Sequence, residues 1–340
     1  MTVSTDPLGI GIVGAGFIAD SHAQAAQGHP GLRLAAVNDR NPVAAAALAA
    51  KYGATVSPGL DELLADPAVD IVIIGTPNDT HAELALATAA AGKHLLLEKP
   101  LALSVADSQR VADAFTERGL TLLIGHTHRH SDYAMSVSAA LQSGAVGTPR
   151  SMRLAIAGGW IWGSWGAWVL DPKRSGGHAF HNGVHLYDLA HWWMGSPVER
   201  VFTMGQKITA AALEIDDALV ATLEFANGST AVCEISRGER PRSTNVFEIV
   251  VHGTTGTLTR RWNSDGTVAF TDEVVGALGA AGTSPFGRQL GVMHDAIVNG
   301  TPVFPAVADA IHSIAIAVAV EQSARTGEVV DVSRQEGTKA

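Results

Sequence analysis

Over its first third the chain alternates short runs that are apolar at nearly every position with alanine-rich stretches of helical period. The runs Leu8–Val13, Leu32–Val37, Val69–Gly75, His94–Glu98 and Leu120–Gly125 predict strands covered on both faces, as in a parallel sheet. Between them, Ile18–Gln27, Pro42–Tyr52, Thr80–Ala91 and Ser104–Arg118 predict helices. Pro42 suits a first helical turn, and Gly53, Gly92 and Gly119 each stand where a left-handed C-cap is wanted. Strand and helix alternating in this way predict βαβ units in a doubly wound parallel sheet.

After residue 125 the period shortens to two. Ser151–Ala157, Ala218–Phe225, Thr230–Ser236, Phe247–His252 and Thr257–Arg261 predict a second, mostly antiparallel sheet. Asn227-Gly228 predicts a two-residue hairpin turn with both residues at positive φ. Helices over Gly183–Trp193 and Val307–Thr326 would cover one face. The expected division is residues 1–125 and 126–340, an α/β protein of two domains. The length of 340 residues agrees, because single cores stop growing at roughly 250–300 residues.

Composition narrows the partners. The formal charge of -10 repels phosphate backbones and anionic lipid heads, which excludes nucleic acid and a membrane surface as natural partners. A single cysteine, Cys233, makes no internal disulfide and suits a reducing compartment. Met1–Leu8 carries no basic-then-apolar leader, and the apolar stretch Ile314–Val320 is far short of the roughly 20 residues of a bilayer span. A cytoplasmic location is expected.

Gly14-Ala15-Gly16-Phe17-Ile18-Ala19 follows the first strand and opens the first helix, which is where a dinucleotide-binding glycine loop must stand. Gly14 allows the tight turn, Gly16 lets the backbone approach a pyrophosphate, and Phe17 and Ile18 open the helix whose N–H groups face that phosphate. Asp39 at the end of the second strand stands about 20 residues on, where a carboxylate takes a ribose 2′-hydroxyl. NAD is therefore expected. Arg40 beside it could stack on adenine or pair with a 2′-phosphate, so NADP is the alternative. Thr76-Pro77-Asn78 ends the third strand at the ligand-binding edge, and His81 beyond it opens a helix either beside the nucleotide or facing solvent. Glu98-Lys99-Pro100 ends the next strand at the same edge. A lysine there can hold a substrate hydroxyl and lower its pKa.

These segments resemble the Gfo/Idh/MocA oxidoreductases over nearly the whole chain. The resemblance rests on the glycine loop, Thr76-Pro77-Asn78, Gly92-Lys93-His94 leading into Glu98-Lys99-Pro100, Arg129, Gly176-Gly177, Gly183-Val184-His185 with Asp188, and Ser323 to Gly327. It implies a Rossmann domain, then an α/β domain whose large open sheet makes a homodimer or homotetramer. It also implies hydride transfer between NAD(P) and a sugar, sugar derivative or cyclic polyol. His185 then becomes the general base, Lys99 the group that polarises the oxygen, and Arg129 a substrate contact. The family has an aspartate where this chain has His181. A spacing of four, then three, places His181, His185 and Asp188 on one helix face, so His181 either holds a second hydroxyl or bonds to backbone. Asp188 either orients an imidazole or serves structure.

Trp160, Trp162, Trp165 and Trp168, spaced by glycines, suit stacking on a sugar ring or packing at an oligomer contact. His126, His128 and His130 alternate and would share one face if extended. Carboxylate or cysteine partners are missing nearby in sequence, and no metal is expected. Two other functions fit the same residues: an NAD-retaining glycosidase acting by transient oxidation, and a non-catalytic sensor of dinucleotide or sugar.

Overall fold

Leu8–Val13 (β1) is buried at nearly every position, as the absence of any polar side chain in it requires. It is the centre of the first sheet in a computed structural model that describes residues 6–159, 167–209, 212–240, 245–261, 267–271, 275–278 and 284–332. Along the chain follow Phe17–Gln27 (α1), Leu32–Asn38 (β2), Pro42–Tyr52 (α2), Thr55–Val56 (β3), Leu60–Ala65 (α3), Ile71–Ile74 (β4), His81–Ala90 (α4), His94–Glu98 (β5), Val105–Thr116 (α5) and Leu122–Gly125 (β6). The six strands are parallel in the order β3-β2-β1-β4-β5-β6. That is the Rossmann order, with its switch point between β1 and β4. The expected glycine caps are present, Gly53, Gly92 and Gly119 having φ of 71, 71 and 63°. The structure adds Asn41, whose side chain accepts from Val43 N–H and Ala44 N–H at the start of α2.

The remaining elements are Asp132–Gln142 (α6), Pro149–Gly158 (β7), Pro172–Ser175 (α7), Val184–Met194 (α8), Val198–Gln206 (β8), Ala218–Phe225 (β9), Thr230–Ser236 (β10), Asn245–Gly253 (β11), Gly256–Arg261 (β12), Thr267–Thr271 (β13), Val275–Leu278 (β14), Pro285–Asn299 (α9), Val307–Thr326 (α10) and Val330–Asp331 (β15). Nine of the strands form one sheet, β14-β13-β12-β11-β7-β10-β9-β8-β15. Every pairing in it is antiparallel except β10 with β7. Its inner face is a ladder of alternate residues, including Leu219, Ala221 and Leu223 from β9 and Phe247, Ile249 and Val251 from β11, each at most 2% exposed. Helix α8 packs on that face at β7 and β10.

Contacts divide the chain into two compact units. One is Met1–Ala102 with Asp107–His130 and Thr283–Val307, and the other is Leu103–Ala106 with Ser131–Gly282 and Ala308–Ala340. The expected boundary at 125/126 thus falls just before the division at His130, and α9 returns to the first unit. There Leu290 and Met293 join a core with Ile10, Ile12, Ala19, Ala23, Ile71 and Leu96.

Two local expectations are corrected. Gly228 has φ 77°, but Asn227 does not have positive φ. Gly228 N–H donates to Phe225 O and Phe225 N–H to Ser229 O, so the loop is a turn followed by a left-handed glycine, a three-residue hairpin. The Asn227 side chain accepts from Ser229 N–H instead. Secondly, Ile314–Val320 belongs to a 20-residue helix of hydropathy 1.2, long and apolar enough by composition to cross a membrane. In the second unit α10 behaves as a core helix: Ser323 Oγ accepts Thr203 N–H at 2.8 Å, and His312 Nε2 accepts Val198 N–H at 3.0 Å, both from β8.

Candidate active site

In the first unit, three loops leave the carboxyl ends of neighbouring strands β1, β4 and β5, where open α/β sheets take their ligands. Gly14, just after β1, has φ 96°, and a Cβ there would lie 2.8 Å from Gly75 O. Strain and clash both demand glycine. At Gly16 nothing lies within 4 Å of an added Cβ, so space is open over the start of α1, whose first N–H groups have no acceptor within the helix. A phosphate fits such a place. Ala19 is buried beneath, Ile18 is half-buried, and Phe17 is 92% exposed beside the opening.

Asp39 accepts from Ala15 N–H through Oδ2 and from Asn41 N–H through Oδ1, each at 2.6 Å. It ties the end of β2 to the glycine loop, and each oxygen keeps capacity for one more donor. Arg40 is exposed. After β4, Thr76 Oγ1 and Thr80 Oγ1 are 2.7 Å apart, and Asn78 is buried.

His81 does not face solvent. It is fully buried, with Nδ1 2.6 Å from Pro100 O and Nε2 3.0 Å from Thr76 O. Burial holds its pKa below the ordinary value, against the pull of those two carbonyls. Glu98 at the end of β5 is also buried, and its Oε1 lies 2.8 Å from Nε2 of the wholly buried His22 in α1. Burial alone would raise the Glu98 carboxyl, but the His22 hydrogen bond, with charge from His22, Lys99 and His81, takes it below its ordinary value. Lys99 is half-buried between these two anchored neighbours. Sequence reasoning missed His22, whose signal was a histidine among Ala19, Ala23 and Ala26 on the buried stripe of α1.

Thr127–His130 is one 3-10 turn and not an extended segment, so the alternation of His126, His128 and His130 does not set three imidazoles on one face. Arg129 is 1% exposed, with its guanidinium 5.6 Å from the Phe304 ring centre.

The second unit holds the histidine-bearing segment. Gly176 and Gly177 are both left-handed, φ 78 and 88°. Ala179–Gly183 then makes a π turn that runs into α8. His181 therefore lies on a wider turn than the α-helix its spacing predicted, and such turns often mark functional places. Its N–H donates to Gly177 O at 3.1 Å. Its ring meets Trp168 edge to face at 5.6 Å. His181, His185 and Trp192 are partly exposed, whereas Asp188 is buried. Asn182 Nδ2 donates to His178 Nε2 at 2.9 Å across the turn. Trp160, Trp162 and Trp165 lie outside the described residues.

Residues 8–126 match the model of the oxidoreductase family with an NAD-binding Rossmann fold, and 135–259 that of the Gfo/Idh/MocA C-terminal domain. The chain belongs to the Gfo/Idh/MocA oxidoreductases. This Gfo/Idh/MocA protein is 30% identical to an uncharacterised oxidoreductase of Streptococcus pneumoniae over 66% of its own length and 61%, under two thirds, of that relative's. It is 31% identical to inositol 2-dehydrogenase of Rhizobium meliloti, over 73% and 74% of the two chains. Among solved structures, GenD2 from gentamicin A biosynthesis, in complex with NAD, is 28% identical with a TM-score of 0.86, covering 97% of each chain.

Proposed function

We propose that the protein is an NAD-dependent dehydrogenase or reductase, with NADP as the alternative cofactor, acting on a hydroxyl or carbonyl of a sugar, sugar derivative or cyclic polyol. The observation that carries this reading is Lys99, set at the ligand-binding edge of the parallel sheet between the buried Glu98–His22 pair and the Pro100 carbonyl held by His81. An ammonium so placed donates to a substrate oxygen and stabilises it as its proton leaves. An imidazole nitrogen of His185 accepts that proton, a task for which histidine is suited near neutral pH. His181, braced by Trp168, holds a second hydroxyl, and Arg129 and the loop of Trp160, Trp162 and Trp165 contribute to substrate binding. Gly14, Gly16, Phe17 and Ile18 would hold the pyrophosphate, Asp39 and Arg40 the adenosine ribose, and Thr76, Pro77, Asn78 and Lys99 the remainder of the dinucleotide, with the buried His81 and Glu98 fixing the loops behind them and not touching it. When bound, the nicotinamide supplies the two-electron exchange. Inositol 2-dehydrogenase among the relatives supports a polyol substrate.

The test is nicotinamide absorbance during incubation with NAD or NADP and a panel of cyclic polyols, sugars and glycosides. A change that needs both cofactor and one panel member is expected. Glycoside cleavage with no net change in absorbance would replace this reading with the NAD-retaining glycosidase.

A homodimer or homotetramer through the outer sheet face is part of the proposal, as is a cytoplasmic location, for which the lone buried thiol Cys233 speaks. On that face Phe202, Met204 and Val220 are 39, 60 and 44% exposed, and Met204 pairs with Val220 across β8 and β9. Alongside run the exposed pairs Arg200–Glu224, Arg153–Glu234 and Arg153–Glu248, each worth at most about 1 kcal/mol. The apolar patch is the costlier part to leave in water. Met204→Glu is expected to shift the protein to monomers in sedimentation velocity, and an unchanged sedimentation coefficient would refute this interface.

A further inference from the structure

Beside the histidine-bearing turn lies a carboxylate that the roles above leave unused. A Cβ on the left-handed Gly177 would fall 2.4 Å from Glu321 Oε1, so the Glu321 side chain, from α10, fills the space that glycine leaves. The same Oε1 accepts Ala179 N–H at 3.1 Å. Ala179 opens the π turn, and His181 N–H within it donates back to the carbonyl of Gly177, the glycine over the Glu321 carboxylate. A carboxylate at this point faces the positive end of the turn's backbone dipoles. At the other end of the turn, a Cβ on Gly183 would lie 2.6 Å from the Tyr187 hydroxyl, so the turn is closed against α8 as well.

We infer that Glu321 is a positioning residue for His181 and His185, its carboxylate fixing the start of the turn that aims both imidazoles. The roles of the two histidines rest on the dehydrogenase reading, while the contact itself does not.

Burial pushes the Glu321 carboxyl up to about 7 against the Ala179 amide, with Asp216 adding to the rise and Arg325 opposing it. Asp216 precedes β9, Arg325 lies one turn on along α10, and Tyr187 of α8 feels both Glu321 and Cys233 of β10. Burial holds the Tyr187 hydroxyl and the Cys233 thiol far above their ordinary values, so both stay neutral at physiological pH. Glu321 itself therefore changes charge near neutrality. Above about pH 7 its bond to Ala179 is charge-assisted, and below it the bond weakens.

The test follows the histidine ring nitrogens of the full-length protein by NMR between about pH 5.5 and 8.5, in wild type, Glu321→Gln and Glu321→Asp. Glutamine keeps the shape and an acceptor and so protects the fold, while aspartate keeps the charge and shortens the reach. The wild-type His181 and His185 signals should carry an added inflection near pH 7 that the Gln variant lacks. In turnover, Glu321→Gln should lower kcat several-fold above about pH 7 with KM nearly constant, and the gap to wild type should close as pH falls through that value. Glu321→Asp should lower kcat roughly ten-fold at unchanged NADH affinity. Identical ring titrations in wild type and Glu321→Gln would overturn the inference. Should the inflection vanish in the Gln variant while no sugar or polyol is turned over by wild type, the positioning role stands and the dehydrogenase reading falls.

Discussion

Lys99→Met is expected to lower turnover by about a thousand-fold while weakening NADH by about ten-fold at most, the loss of one contact among several. Methionine keeps the length and apolar stem of lysine and removes only the ammonium. Its neighbours stay anchored, because Glu98 bonds to His22 and Pro100 to His81 through atoms that Lys99 does not supply. The glycine loop and Asp39 lie on other strands, so dinucleotide binding should survive. Lys99→Arg is not a rescue, since the planar guanidinium cannot replace a compact ammonium that donates to one oxygen. The measurement pairs initial rates from NADH absorbance with NADH fluorescence titration. Retention of more than about a tenth of the activity would remove Lys99 from the chemistry.

His22→Leu carries the largest expected stability loss, about 3–5 kcal/mol by urea unfolding, because it leaves the buried Glu98 carboxylate without the partner that offsets its burial. Leucine also meets the edge of Phe286, whose ring lies 5.1 Å from the imidazole, so little volume is lost and the charge effect dominates. The pH dependence follows from the sign of the Glu98 shift. Its folded pKa lies below the ordinary value, so its contribution is present above the unfolded value of about 4.3 and is lost as pH falls through the folded one. The variant's deficit should therefore be full at pH 7 and shrink in acid, where Glu98 is protonated in both proteins. A deficit below about 1 kcal/mol, or one flat with pH, would show that His22 serves packing alone.

Where hydrophobic period and punctuation agree, element boundaries were legible to the residue. β1, β5, β9, β10, α2 and α10 have their expected bounds. Misreadings cluster where distant contacts decide. Helix α9 went undrawn because Gly287 and Gly291 dilute its period, and it is held by Leu290 and Met293 in the first unit's core. His81 read ambiguously because its acceptors, Thr76 O and Pro100 O, are backbone atoms that no side-chain pattern reveals. The π turn was hidden likewise. His181 and His185 keep helical spacing, and the shape of the turn is set by left-handed Gly176 and Gly177 and by Glu321, far off in sequence. The places of Gly14, Asp39 and Lys99 just beyond β1, β2 and β5 were legible because strand ends can be counted.

Leu290 and Met293 of α9 complete a core whose other members lie between Ile10 and Val37, among Ala45, Leu48 and Ala49, and at Ile71, Ile73, Leu96 and Leu123. On the ribosome the Rossmann segment is thus made first yet finished only after eight strands of the nine-stranded sheet, β7 to β14, have emerged. Until then the side of α1 that packs on α9, where His22 meets Phe286, stays uncovered, a surface for chaperones and a source of aggregation. A premature stop before residue 285 would leave that face bare for good, and any exchange of cofactor modules between relatives has to carry this helix along with the glycine loop.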